Sequence, residues 1–96
     1  MEIRNIKLKG LTNVIEKGQT KGLPPQYLDK IGDIVGFLLD IEAIDEVFAL
    51  TKYEPHRLTG DRAGAYALSV TPNWRIPFGH DAEDNEIIDL DYEDYH

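Results

Sequence analysis

The chain has 96 residues, with 18 acidic against ten basic side chains, a net charge of −8 and no cysteine. This length predicts a single domain over residues 1–96, and the lack of cysteine excludes disulfides and thiolate metal sites. No stretch approaches the ~20 apolar residues that a membrane span needs, and no apolar region follows the N-terminal charges as in a signal peptide. The sequence therefore predicts a soluble, cytoplasmic protein with no membrane partner.

The charge is unevenly divided along the chain. Residues 1–36 carry six basic and four acidic side chains, for +2, and residues 37–96 carry four basic and fourteen acidic ones, for −10. An acidic protein does not attract nucleic acid through its overall field, because phosphate binding rests on Lys and Arg. Any RNA chemistry must therefore depend on a local cationic patch, or on a partner that supplies the contacts.

The N-terminal half has apolar residues at helical spacing. Residues 2–7 could form a short edge strand, and residues 8–18 are predicted to form a first helix that ends at Gly18. A second amphipathic helix is predicted from Pro24, since proline suits a first helical turn, to about Ile41. Its apolar positions are Leu28, Ile31, Ile34, Val35, Leu38 and Leu39. The two helices are expected to form a hairpin.

Two glycines lie inside the second predicted helix. Gly32 and Gly36 each cost up to about 1 kcal/mol relative to alanine in a helix interior. They are four residues apart and share one face of the helix. We therefore expect another element to approach that face closely.

The C-terminal half changes to strand periodicity. Apolar and small or polar residues alternate over residues 65–70, 73–78 and 88–92, with an acidic loop predicted at 79–85. Short polar turns between such runs predict an antiparallel meander. Pro77 has no N–H, so its strand should be interrupted, bulged or unpaired on one side there. Helices followed by strands predict an α+β fold, with two N-terminal helices packed on a small antiparallel sheet.

The sequence has no recognisable metal-binding or phosphate-loop motif. His56, His80 and His96 are scattered without HxxxH or HExxH spacing, and the eight carboxylates of residues 81–94 lack calcium-loop spacing. The glycines of residues 60–64 lack the GK[ST] ending of a phosphate loop and indicate a turn. We therefore expect no metal and no cofactor.

Single residues do not define a site. Arg75 lies between Trp74 and Ile76 and should point away from the core that they fill, where it could be an exposed strand arginine paired with an acidic neighbour. His56 taken alone is more often a surface or packed histidine. His96 is the last residue, and terminal residues usually fray.

Several segments taken together resemble the HigB toxins of the RelE/ParE superfamily. The resemblance covers residues 53–78, YEPHRLTGDRAGAYALSVTPNWRIPF, and the opening KGLTNVIEKGQTKGLPPQ at residues 9–26. Its most specific parts are the H-x-L-x-G-D-R-x-G element at 56–64, the NWRI strand at 73–76 and the C-terminal DYH at 94–96.

The resemblance implies a compact RelE-like fold and ribosome-dependent cleavage of mRNA. It also implies neutralisation by a helix-turn-helix, HigA-like antitoxin, with operator DNA bound only through that antitoxin. By position, the family's catalytic set falls on His56, Arg75, Asp94, Tyr95 and His96. The residues expected to contact RNA are Arg57, Arg62 and Asn73.

These residue types suit RNA cleavage by attack of the 2′-OH on the adjacent phosphorus. His56 and His96 could share the acid and base steps, because histidine titrates near neutrality. Arg75 would hold the phosphate oxygens and stabilise the charge of the transition state. Asp94 could orient a histidine, and Tyr95 could stack on a base or donate a hydrogen bond. No step requires a metal.

Some positions depart from the family pattern. Thr59 stands where the family commonly has lysine, and the chain is acidic where the family is typically basic. These departures favour one alternative, a catalytically weakened homologue that mainly binds its antitoxin. A second alternative is a gyrase inhibitor of the ParE branch, but His56, Arg75 and the terminal Asp-Tyr-His argue against it.

Overall fold

The computed structural model of the protein describes residues 1–7 and 25–94, so the first predicted helix, over residues 8–18, lies outside the described residues. Within them, one α-helix, α1, spans Leu28–Asp40 and follows a 3₁₀ turn at Pro25–Tyr27. No helix in this part of the chain is long and apolar enough to cross a membrane.

Helix α1 confirms the second predicted helix. It ends at Asp40 because Ile41 takes an extended backbone conformation, with φ −72° and ψ 154°. Its buried stripe consists of Ile31, Ile34, Val35 and Leu38. The prediction that Leu39 belongs to this stripe is wrong, since Leu39 is 44% exposed. Successive residues of a helix are rotated by about 100° around its axis, so Leu39 lies about 90° from the centre of the buried stripe.

Two short 3₁₀ helices, Ile44–Ala49 and Thr51–Tyr53, connect α1 to the sheet. The second is tied back to α1 by Tyr53, which is buried and whose hydroxyl donates a hydrogen bond to Asp33 Oδ2 at 3.2 Å. This connection places the end of the helical segment directly before the first strand.

No described element makes the close approach predicted for Gly32 and Gly36. Among the described residues, no atom lies within 4 Å of the place where a Cβ would stand on either glycine. Gly32 is also exposed to solvent. At Gly32, the missing side chain therefore costs helix stability without allowing a contact within the described fold.

Replacing Gly32 by alanine is expected to raise the free energy of unfolding by about 0.5–1 kcal/mol, because alanine restricts the unfolded chain and favours the helix. Urea denaturation measures the change. Gly60→Ala is the matched control, and it should destabilise the protein because Gly60 has a φ of +67°. A destabilised Gly32→Ala protein would contradict the expectation.

The sheet confirms the predicted antiparallel meander. Four strands follow one another in space in the order β1-β2-β3-β4, and β5 pairs with β3 beside β4. The strands are β1 (His56–Arg57), β2 (Ala65–Ser69), β3 (Trp74–Asp81), β4 (Glu86–Ile88) and β5 (Glu93–Asp94). Strand β3 is therefore the central strand, with β2 on one side and both β4 and β5 on the other.

The last predicted strand is broken, and the acidic loop is shorter than predicted. Strand β3 continues through the first three residues assigned to the loop, as far as Asp81. Strand β4 ends at Ile88 because Asp89 adopts a left-handed conformation with φ 54°, which aspartate tolerates. Asn5 holds this kink, donating from Nδ2 to Asp89 Oδ1 at 2.8 Å and accepting from the Asp89 N–H at 3.0 Å.

The N-terminal segment pairs with the sheet, as predicted, and does so in parallel. Parallel bridges join Ile3 to Ile87 and Ile6 to Leu90. Next to them, the Arg4 guanidinium forms ion pairs with Asp81, with Asp84 at 3.1 Å and with Glu86 at 2.8 Å. The hydrogen bond from Arg4 holds the pKa of Asp81 below its usual value.

The core lies between α1 and one face of the sheet. Tyr66 and Phe78 are cross-strand partners on this face, and their rings stack with centroids 5.7 Å apart. Trp74 and Tyr92 stack in the same way at 4.9 Å. Alternation along the strands places Leu68 and Ile76 in the same layer, and both are fully buried. The opposite face of the sheet carries mainly small and polar side chains.

Strand β3 runs through Pro77 without a break. The Pro77 carbonyl accepts a hydrogen bond from the Asp91 N–H at 3.1 Å, so its nitrogen also faces the β4 and β5 side. On that side, the paired strands stop at Arg75 and resume at Gly79. The predicted gap in pairing therefore lies between β5 and β4.

Candidate active site

The face of the sheet opposite α1 carries the candidate site. His56 on β1 is opposite Ala67 on β2, and Ala67 is opposite Pro77 on β3. Arg75, two residues earlier on β3, is opposite Glu93 on β5. Because these positions alternate with core residues, their side chains share one face of the sheet. Ala67 and Pro77 are buried and form a low floor between the polar groups.

A pocket of about 250 Å³ opens on this face. Its described lining consists of His56, Arg57, Leu58, Thr59, Arg62 and Arg75. Three of the four arginines in the sequence therefore lie around one pocket. An acidic chain can therefore still gather several arginines at one place on its surface.

His56 is held in one orientation by its own connecting segment. Its Nδ1 lies 3.0 Å from the carbonyl oxygen of Glu54. A carbonyl only accepts hydrogen bonds, so Nδ1 carries the proton and Nε2 has the lone pair of a base. Nε2 is buried and has no hydrogen-bond partner among the described residues. A substrate hydroxyl can therefore reach Nε2 only after the groups that cover it move.

Arg75 is paired with an acidic neighbour, as its sequence position suggested. Its side chain is only 16% exposed, and Nε donates to Glu93 Oε2 at 2.7 Å. Arg62, from the 3₁₀ turn at Gly60–Arg62, donates from NH1 to the same oxygen at 2.8 Å. One carboxylate oxygen therefore joins two arginines from different elements.

Glu93 is the site residue that the sequence pattern did not single out. Glu93 and Arg75 are 18 residues apart on different strands, so periodicity within one segment could not predict that they are paired. Although burial alone would raise the pKa of Glu93, the hydrogen bonds from Arg62 and Arg75 bring that pKa below its usual value. The same contact raises the pKa of Arg62. The contact therefore favours the charged forms of both Glu93 and Arg62.

Arg57 lines the pocket but is directed towards aromatic rings. Its guanidinium carbon lies 5.4 Å from the ring centroid of Phe48 and 5.9 Å from that of Tyr66. Cation–π attraction holds it on the side of β1 opposite His56. Of the three residues predicted to contact RNA, Arg62 is therefore the one whose guanidinium meets Arg75 at Glu93.

Asn73 and Asp94, two further predicted residues, lie at one end of the sheet. Asn73 is in the turn between β2 and β3, with its N–H 3.2 Å from Thr71 Oγ1, and is not among the described lining residues. Asp94 is the strand partner of Trp74. Because side chains alternate along a strand, the Asp94 side chain lies on the opposite face of the sheet from that of Glu93. Tyr95 and His96 lie outside the described residues.

A second open pocket, of about 460 Å³, adjoins the first and shares Arg62 with it. Lys7, His80 and Asp91 are among its lining residues. The two pockets therefore lie on either side of Arg62. Over the described ranges, no cluster of His, Cys, Asp and Glu could hold a metal ion.

The fold is that of a known class of bacterial toxins. A YoeB/ParE toxin from Agrobacterium tumefaciens superposes with a TM-score of 0.50 over 97% of this chain and 93% of that chain, at 18% sequence identity. At that identity the likeness concerns the fold alone. It confirms a compact arrangement of helix and antiparallel sheet of the toxin type.

The sequence gives the family. Over 96 residues, 98% of this chain and 99% of the other, it is 42% identical to Endoribonuclease HigB of Proteus vulgaris. The chain therefore belongs to the HigB family of the RelE/ParE toxin superfamily. No protein-family model matches the chain.

Proposed function

We propose that this protein is an mRNA endoribonuclease and the toxin of a type II toxin–antitoxin system. The observation that carries the proposal is the grouping of His56 with Arg57, Arg62 and Arg75 around one pocket of an otherwise acidic chain. Such a pocket provides a base and fixed positive charge for one phosphate. The name of the Proteus vulgaris relative supports cleavage of RNA.

The proposed mechanism is cleavage through the 2′-OH, without a metal. Nε2 of His56 takes the 2′-OH proton, because the contact to Glu54 leaves its lone pair for this role. The 2′-oxygen attacks phosphorus, the bond to the 5′-oxygen breaks, and Arg75 and Arg62 stabilise the charge on the phosphate oxygens. We assign protonation of the leaving 5′-oxygen to the Asp94-Tyr95-His96 end of the chain.

The proposed partners are the ribosome, which presents the mRNA, and a helix-turn-helix, HigA-like antitoxin. With a net charge of −8, the free protein is poorly suited to bind DNA, so operator binding is assigned to the antitoxin. The proposed compartment is the cytoplasm.

One structural observation favours a second candidate, a weakened toxin that chiefly binds its antitoxin. The Glu93 carboxylate already neutralises part of the arginine charge in the pocket. Thr59, another lining residue, adds no positive charge there. On this reading the acidic chain would keep its binding surface and cleave slowly.

Induction of this gene alone in growing bacteria, with mapping of mRNA 5′ ends, distinguishes the two candidates. We expect growth arrest and new 5′ ends within translated codons, both lost in a His56→Ala/Arg75→Ala protein. Lys30→Ala is the matched control, because it removes a positive charge from the exposed side of α1. Soluble parent protein without arrest or new ends would favour the weakened toxin.

A further inference from the structure

Glu93 joins the two arginines most directly placed to meet a phosphate. Its Oε2 accepts hydrogen bonds from Arg75 Nε at 2.7 Å and from Arg62 NH1 at 2.8 Å. We propose that Glu93 is a positioning residue for RNA cleavage, holding both guanidinium groups at the pocket so that they act on one phosphate. This inference rests on the proposed endoribonuclease function.

The geometry constrains the two arginines in different ways. Arg75 is opposite Glu93 in the sheet, and a bond through Nε limits rotation of the guanidinium plane about the end of the side chain. Arg62 belongs to a three-residue turn, and its side chain is 44% exposed. The contact with Glu93 joins this turn to β5 and, through the shared oxygen, to Arg75 on β3.

Charge gives a second reason for a carboxylate at this position. Two guanidinium groups that meet at one point repel each other, and the repulsion is strongest where side chains are partly shielded from water. A carboxylate between them offsets that repulsion before any substrate arrives. The exposed fractions of 16% for Arg75 and 24% for Glu93 separate this cluster from a fully solvated surface pair, which contributes little.

The same contacts allow the opposite effect. If the Glu93 carboxylate occupied the place of the substrate phosphate, it would compete with RNA, and its removal would speed cleavage. Positioning predicts a slower reaction instead. The sign of the change therefore decides between a positioning residue and an internal competitor.

Glu86 provides a matched control elsewhere in the molecule. It also accepts a hydrogen bond from an arginine Nε, that of Arg4, at 2.8 Å, and its side chain is likewise 24% exposed. Glu86 does not line the pocket among the described residues. Glu86→Gln therefore makes the same chemical change as Glu93→Gln in a similar environment away from the site.

The test is cleavage of ribosome-bound mRNA by the parent, Glu93→Gln, Glu93→Ala and Glu86→Gln proteins. We expect Glu93→Ala to lower kcat about tenfold or more, since a charge-assisted hydrogen bond is lost, with KM within about twofold. Glu93→Gln should lie between the parent and Glu93→Ala, because its amide oxygen still accepts. Glu86→Gln should match the parent. An unchanged or higher kcat in both Glu93 variants would overturn the proposal.

A measurement without RNA separates this inference from the proposed function. In the parent, the NMR signal of the Arg75 Nε–H should exchange slowly with water. In Glu93→Ala the exchange should be about tenfold faster, while Glu86→Gln should leave it unchanged. Unchanged exchange in Glu93→Ala would overturn the positioning role. Failure of the parent to cleave RNA would count against the proposed function instead.

Discussion

Replacing Arg75 by alanine is expected to slow cleavage of ribosome-bound mRNA by about 10²–10³-fold, the usual cost of removing one preorganised donor to a transition-state charge. Arg75 is mostly buried beside the pocket and lies on the central strand, so its position is set by the sheet. Its loss would also leave Glu93 paired with Arg62 alone, beside the substrate. Single-turnover rates with saturating ribosomes would measure the effect.

Arg75→Lys separates charge from geometry in this experiment. Lysine keeps the positive charge but lacks the planar fork of donors, so its rate should lie between those of the parent and Arg75→Ala. Lys30→Ala should cleave at the parent rate, because Lys30 lies on the exposed side of α1. Parent-like cleavage by Arg75→Ala would show that this arginine does not act on the phosphate.

Replacing Phe78 by alanine is expected to lower the free energy of unfolding by about 3–5 kcal/mol. Phe78 is 1% exposed and stacks on Tyr66 in the middle of the core. For a domain whose whole stability is about 5–15 kcal/mol, this loss could leave much of the protein unfolded at growth temperature. Urea denaturation followed by tryptophan fluorescence would measure it, since Trp74 is on the same strand.

Leu39→Ala is the matched control for Phe78→Ala. Both replacements remove a large apolar side chain, but Leu39 is 44% exposed and should cost less than about 1 kcal/mol. If both replacements lowered the free energy of unfolding equally, Leu39 would have to be part of the core, contrary to its exposure in the structure. Any loss of cleavage in Phe78→Ala should be corrected for the fraction of that protein that is folded.

Elements with strong local signals were predictable from the sequence. The apolar spacing over Leu28–Asp40 and the alternation around Trp74–Asp81 predicted α1 and the central strand, because each pattern repeats long enough to fix a period. The resemblance to HigB toxins, carried by three short motifs, predicted the family that the 42% identity establishes. Each of these features is determined by residues that lie close together in the sequence.

Features that depend on distant contacts were not predictable. The kink at Asp89 is held by Asn5, 84 residues away, and it breaks a segment that alternates perfectly in the sequence. Glu93 is likewise paired with Arg75 across two strands 18 residues apart, so the bridging carboxylate could not be identified from spacing. Whether Asp94, Tyr95 and His96 act as the resemblance implies stays a prediction.

The parallel pairing of Ile3 with Ile87 and of Ile6 with Leu90 has a consequence for how the protein is made. Contacts between residues so far apart in sequence close large loops and form late in folding. A ribosome releases the chain from its N-terminus, so Ile3 and Ile6 cannot pair until Ile87 and Leu90 have emerged. The bridge from Glu93 to Arg62 and Arg75 waits for the same segment. A chain synthesised only as far as Arg75 therefore lacks both the partners of its N-terminal segment and the carboxylate that joins Arg62 to Arg75.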